Sequence, residues 1–305
     1  MNVVCRWAAI LLISSLVTPV AAEPFEDAAA AFAKGDCATA LQLFRPLADQ
    51  GMARAQTILG VMYATGQGVP KSDTEAMRWY RLAADQGDAG AQTALGVIFI
   101  NGLGVQKDPD KGLEWFRKAA DQGYANAQNN LGNMYDRGEG VTQNYAEAMK
   151  WYRLAADQGY ANAQNNLANM YLNGRGVSRD YDEAVKWSKL AADQGFAAAQ
   201  YNLAFIYANG QGVPQNYAEA VKWSQLAADQ GYATAQYYLG IAYANGQGVP
   251  QDFVQAYKWF ELSAAHGYKD ALQTKQIAAQ RMTKAQVEEA QKLAREWKPT
   301  SPAAR

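Results

Sequence analysis

The chain has 305 residues, with 28 Lys and Arg against 29 Asp and Glu and a net charge of −1. That balance excludes a broad electrostatic hold on nucleic acid or anionic lipid. One histidine and two cysteines are too few for a clustered metal site or a disulfide framework.

Residues 1–22 read as an export signal. Arg6 supplies the positive start, Trp7 to Val17 the apolar run, and Val20-Ala21-Ala22 a small-residue cleavage site before Glu23. The run falls short of the ~20 residues that a spanning helix needs, and Cys5, preceded by Val4, does not fit a lipid-attachment site. Cleavage after Ala22 removes Arg6 and Cys5, leaving 27 basic against 29 acidic residues and Cys37 as the single cysteine. The mature chain is therefore expected in the periplasm or secreted, with no membrane span. Without an internal disulfide it must hold together by packing.

Residues 23–50 read as a partial, capping unit. Asp36 opens a helix, Leu43 stands in a slot that Trp fills later, and Cys37, where later units place Tyr145, Tyr181 or Tyr217, reads as a small buried hydrophobe.

Residues 51–266 then repeat six times. Trp79, Trp115, Trp151, Trp187, Trp223 and Trp259 are spaced by 36 residues, as are turn glycines from Gly51 to Gly267 and a Gly-x-Gly-Val segment first met at Gly66. A period of about 20 to 50 residues marks units too small to bury their own apolar faces, which must stack on their neighbours. In residues 123–158, Ala127, Leu131, Met134 and Tyr135 fall at helical spacing until Gly138 stops the run. Gly138 and Gly140 read as a tight connection with Val141 tucked beneath, not as a phosphate loop. A second helix follows, opened by a cap residue three positions before a side chain that can reach back: Ser72 with Glu75, Asn144 with Glu147, Asp180 with Glu183, Asn216 with Glu219 and Asp252 with Gln255. Asp108 with Lys111 breaks that pattern. The inward stripe is expected to be Ala148, Trp151, Ala155 and the aliphatic part of Leu154, with the indoles as the main fastening between units. Residues 267–298 read as C-terminal capping helices. Val287, Ala290, Leu293, Ala294 and Trp297 face inward there, and the polar outer side seals the stack. Residues 299–305 read as a disordered tail.

The run Ala127, Leu131, Gly132, Tyr135, the Gly-x-Gly-Val loop, and Ala148, Trp151, Ala155, Ala156 resemble the Sel-one-like repeat proteins, relatives of tetratricopeptide repeats. The resemblance covers about Glu23 to Trp297. It implies an all-α fold, an α/α superhelical solenoid of antiparallel helix pairs in 36-residue repeats. It also implies an adaptor between protein partners, in exported bacterial members a part of envelope signalling or assembly. A cysteine-rich secreted branch, for which a penicillin-binding or hydrolase activity has been proposed, pins each unit with a disulfide; this chain lacks those cysteines.

In the related tetratricopeptide architecture the first helix of each pair lines the concave surface. Off the inward stripe of that helix this chain carries Asn126, Asn129, Asn130 and Asn133, then Asn162, Asn165, Asn166 and Asn169, then Tyr201, Asn202 and Phe205, then Tyr237 and Tyr238. Asparagine is a poor helix former, so nine on such faces are costly unless they meet something polar, and an amide that both donates and accepts suits an extended peptide backbone. By the resemblance, Asn130, Asn133, Asn166, Asn169 and Asn202 match positions that contact bound peptides. Of the basic residues that would clamp an acidic C-terminus there are only Arg54 and Arg137. The alternative is that the asparagines were copied with the unit and pair with one another or with water. Tyr and Phe beside adaptable polar groups suit a protein or peptide partner, with a glycan also open.

Catalytic signatures are missing: there is no His-Glu-x-x-His, Gly-x-Ser-x-Gly or Ser-x-x-Lys. His266 stands at a helix end, and the carboxylates of the repeated Asp-Gln-Gly are a whole unit apart. The expectation is a binding protein, not an enzyme, with no cofactor and no metal.

Overall fold

The computed structural model describes residues 22–300. The expected export signal lies outside the described residues but for Ala22, as do residues 301–305 of the expected tail. Among the described residues every regular element is a helix, and none is long and apolar enough to cross a membrane.

The chain divides into two compact units, one ending at Ala155 and one beginning at Ala156. The first holds α1 (Ala22–Ala33), α2 (Cys37–Asp49), α3 (Ala53–Thr65), α4 (Asp73–Asp85), α5 (Ala89–Asn101), α6 (Pro109–Asp121), α7 (Ala125–Arg137) and most of α8 (Tyr145–Asp157). The second holds α9 (Ala161–Asn173), α10 (Tyr181–Asp193), α11 (Ala197–Asn209), α12 (Tyr217–Asp229), α13 (Ala233–Asn245), α14 (Phe253–Ala265), α15 (Ala271–Ala279) and α16 (Lys284–Glu296). Within each unit consecutive helices pack as antiparallel pairs, and each pair packs on the next. This is the all-α helix-pair solenoid that the period implies.

Glycine ends every first helix of a repeat in the left-handed conformation, for example Gly66 at φ 72°. The second glycine of the loop is needed twice over. Gly68 has φ 73°, and a Cβ there would lie 2.6 Å from Cys37 O, so the loop can press on the start of the preceding second helix only because that carbon is missing. Cys37 is half-buried against the first core cluster rather than enclosed by it.

In four of the six repeats the residue after the tryptophan is a second, enclosed aromatic. Tyr80, Phe116, Tyr152 and Phe260 are buried, each against a glycine of the partner helix: Gly60, Gly96, Gly132 and Gly240. A Cβ at Gly132 would lie 2.5 Å from Tyr152 Cδ1. Where the glycine becomes Ala168 or Ala204, the aromatic becomes Ser188 or Ser224, and all four are buried. Within the units the tryptophans pack against the helices that precede them, Trp151 for instance against the cluster of Phe116, Ala127 and Leu131. Yet only Trp79, Trp187 and Trp259 are buried; Trp115, Trp151 and Trp223 are half-buried. Leu154, expected on the inward stripe, is 42% exposed. It lies two positions after Tyr152, about 200° around the helix from the buried ring.

The glutamines supply a second fastening between repeats. Gln56 is buried and donates from Nε2 to Ala48 O of the preceding second helix (3.0 Å), while its Oε1 accepts from Gln86 Nε2 (2.8 Å). Gln92 with Gln122, Gln164 with Gln194 and Gln200 with Gln230 repeat the 2.8 Å bond. One amide thus adds a second donor to a helix-end carbonyl that already accepts a backbone N–H, as Ala48 O does from Gly51 N, and ties two repeats together. In the last repeat His266 replaces the glutamine, its Nδ1 2.8 Å from Gln236 Oε1. An amide oxygen only accepts, so Nδ1 carries the proton.

The caps form as expected on the N-cap side: Ser72 accepts from Glu75 N at 3.2 Å and Asp180 from Glu183 N at 3.0 Å. The return bond is missing in these helices, because Glu75, Glu183 and Glu219 turn to Arg78, Lys186 and Lys222 one turn on. A reciprocal capping box is present at Thr283 and Gln286, opening α16. The inward face of α16 is the expected one: Ala294 and Trp297 join the cluster of Leu239, Trp259 and Leu262. Beyond it, Thr300 N donates to Asp229 O at 2.7 Å.

Candidate binding faces

The first helix of each repeat exposes a different chemistry on one scaffold. In α7, Asn130 Nδ2 donates to Asn126 Oδ1 at 2.9 Å, and the Tyr152 hydroxyl donates to Asn133 Oδ1 at 2.8 Å. Asn129 is buried. In α9, Asn165 is buried too, Asn162 is exposed, and Asn166 and Asn169 are half-buried. Asn202 of α11 donates to both Asn165 Oδ1 (2.9 Å) and Asn169 Oδ1 (3.0 Å). Both its donor hydrogens are spent, so what it still offers is its acceptor oxygen. Five of the nine asparagines thus bond to one another, and Asn133 accepts from Tyr152. Asn129 and Asn165 are buried, Asn165 with Asn202 of the next repeat bonded to its Oδ1.

The aromatic positions form a third face in α11 and α13. Tyr201 tilts on Tyr232 with ring centroids 5.8 Å apart, and Tyr237 stacks on Tyr268 at 4.5 Å while its hydroxyl lies 3.2 Å from Thr274 Oγ1. Tyr238 is half-buried, and Phe205 stands out at 43% exposure. Burial holds the Tyr238 hydroxyl up at about 12, with Tyr217 and Tyr201 adding to it. Burial, then Tyr268 and Tyr232, likewise raises Tyr201. These phenols stay neutral near neutral pH, and so stay donors as well as acceptors.

A concavity of the first unit lies on α3 and α5. It is about 620 Å³ in volume. Its floor is Ile58, Val61, Ala94 and Val97, the slots that hold Asn130, Asn133, Asn166 and Asn169 in α7 and α9. It is open because repeat two departs from the pattern. Asp88 stands where other repeats have Met52, Tyr124, Tyr160, Phe196 or Tyr232, and Gly90 has no side chain to fill the gap. Asp88 turns instead to Thr57, whose hydroxyl lies 2.9 Å from Asp88 Oδ1. The signal lies in the repeats themselves, where Asp88 and Gly90 depart from the residues at the same step in every other unit. Among the described residues no cluster of three or more His, Cys, Asp or Glu could hold a metal.

Comparison with known proteins agrees with this architecture. The Sel1 repeat pattern matches residues 53–88, 89–124, 125–160, 161–196, 197–232 and 233–268, each beginning at the first helix of a pair. No curated protein matches. Among solved structures the chain is similar to a protective antigen present in uropathogenic Escherichia coli strains that displays an SLR fold, at 34% identity and a TM-score of 0.82. That likeness covers 90% of this chain, which spans only 59% of that protein's length. It is also similar to a Sel1 repeat protein from Oxalobacter formigenes, at 32% identity and a TM-score of 0.72, over 79% of this chain and 97% of that one. Six matched repeats, the helix pair in each and the 36-residue step show that the chain belongs to the Sel1 repeat family.

Proposed function

We infer that the chain is an exported scaffold that holds a protein partner on the first helices of its repeats, in the periplasm, in envelope assembly or signalling. Sel1 repeat proteins generally mediate protein–protein interaction, which supports the binding half of this reading. The composition of residues 1–22 supports export. The observation that carries it is the face of α9 and α11, where a fixed amide network, Asn202 with Asn165 and Asn169, adjoins the exposed ring of Phe205. A pre-ordered amide loses little entropy on gripping a peptide backbone, and an exposed aromatic beside it supplies the anchor.

The test is capture of envelope proteins by the purified chain, followed by cross-linking and mass spectrometry. Changing Asn169, Asn202 and Phe205 together to Ala should abolish capture and leave the circular dichroism spectrum unaltered. Undiminished capture by that variant would refute the reading. A second reading, a secreted factor that meets a host, draws on the similar Escherichia coli protein being a protective antigen. Recovery of the chain from the culture medium rather than the periplasm would favour it.

A further inference from the structure

We propose that the two tyrosine pairs of the second unit, Tyr201 with Tyr232 and Tyr237 with Tyr268, hold a proline-rich segment of a partner protein in the polyproline II conformation. The proposal rests on the protein-binding reading and names the chemistry of the partner.

The pairs arise from one change in the repeat. The slot filled by Thr57, Thr93, Asn129 and Asn165 in α3, α5, α7 and α9 becomes Tyr201 in α11 and Tyr237 in α13. Thr93, Asn129 and Asn165 are buried, whereas the longer tyrosines reach the surface and are half-buried. Each meets a tyrosine that precedes the next first helix: Tyr201 lies at 44° to Tyr232, and Tyr237 at 25° to Tyr268. One pair follows the other by a single layer of helices, a step of ~8–10 Å where helices pack side by side. A polyproline II helix turns once in three residues, ~9 Å along its axis, so prolines three apart meet successive pairs. Aromatic-lined faces are recurring receptors for this conformation.

Hydrogen bonding and charge favour the same ligand. Proline has no N–H, so a proline-rich backbone needs donors for its carbonyls and little else. The Tyr237 hydroxyl lies 3.2 Å from Thr274 Oγ1, but among the described residues those of Tyr201, Tyr232 and Tyr268 have no hydrogen-bond partner. Burial first, and neighbouring tyrosines after it, hold the Tyr201 and Tyr268 phenols above the ordinary 10.0, so both keep a proton to donate. The helices α9, α11 and α13 contain no Asp, Glu, Lys or Arg. Nothing on them clamps an acidic or a basic peptide. A polyproline II segment is also extended before it binds, and so loses little ordering entropy.

The test is titration of the full mature chain into fluorescein-labelled decaproline, with unlabelled decaproline, a Gly-Ser decapeptide and chitohexaose as competitors. Labelled decaproline should bind and be displaced by the unlabelled peptide, with the other two without effect. Tyr201→Asn/Tyr237→Asn, which writes in the residue that stands at Asn129 and Asn165, should weaken binding about tenfold or more with an unchanged circular dichroism spectrum. Tyr201→Phe/Tyr237→Phe keeps the rings and removes two donors, so its affinity should fall between those of the unaltered chain and the Asn variant. No binding of decaproline, displacement by the Gly-Ser peptide or by chitohexaose, or affinity indifferent to Tyr201→Asn/Tyr237→Asn would overturn the proposal. Envelope-protein capture by a chain that does not bind decaproline would sink this proposal alone, whereas loss of both would sink the protein-binding reading with it.

Discussion

At the level of single residues the repeat is held in register by matched volumes. Gly132 and Tyr152 are a pair, as are Ala168 and Ser188 one repeat later, and the ring is admitted only where the Cβ is absent. Gly132→Ala should destabilise the chain by about 1–3 kcal/mol despite the better helix propensity of alanine, because Tyr152 must move or clash. Adding Tyr152→Ser should cost less than the sum of the two single changes by about 1 kcal/mol or more, read from denaturant midpoints in a double-mutant cycle. Strict additivity would show that glycine and ring do not meet. This pairing was present in the sequence as covariation within one chain, positions 60 with 80, 96 with 116, and onward. It becomes legible only once the two helices of a unit are known to be apposed at those heights. The tryptophan period was the louder signal, yet three of those indoles remain half-exposed at the seams between repeats, with cations such as Lys118 4.3 Å from the Trp115 ring centroid.

Whole helices were the most legible level, since apolar spacing, cap residues and turn glycines all act within a few residues. The N-caps stand where Ser72, Asp180 and Asn216 predict. The return arm of the capping box does not, because a lysine or arginine one turn on competes for the same carboxylate and offers a charged partner. The helix α16 packs on the last helix pair: Ala294 and Trp297 lie in the cluster of Leu262 and Trp259. Ending the chain at Met282 should therefore expose that cluster. Re-exposing Leu262 alone is worth roughly 1.5–3 kcal/mol, so the truncated chain should melt earlier and scatter light as its concentration rises. A truncation with the melting temperature of the full chain would show that the last pair needs no seal.

Across the whole molecule the repeated tyrosines set a shared response to alkali. Burial raises Tyr80, Tyr160, Tyr201, Tyr238, Tyr243 and Tyr268 above the ordinary 10.0, Tyr238 to about 12. The folded chain then keeps protons that the unfolded chain has already released. The stability linked to these groups is complete below pH 10 and is lost as the pH climbs towards about 12. Denaturant midpoints measured with phenolate absorbance should fall across that window. A single titration at 10.0 with level stability would contradict the burial of these rings. The sequence by itself determined the period, the helix pairs and their caps, because those depend on contacts along one helix or across one turn. It could not determine which amides are exposed, that Asn129 and Asn165 are buried, or that a cavity opens beside Asp88 and Gly90. Those outcomes depend on what covers a given helix face from a neighbouring repeat some 36 residues away, and only the tertiary packing brings that neighbour into place.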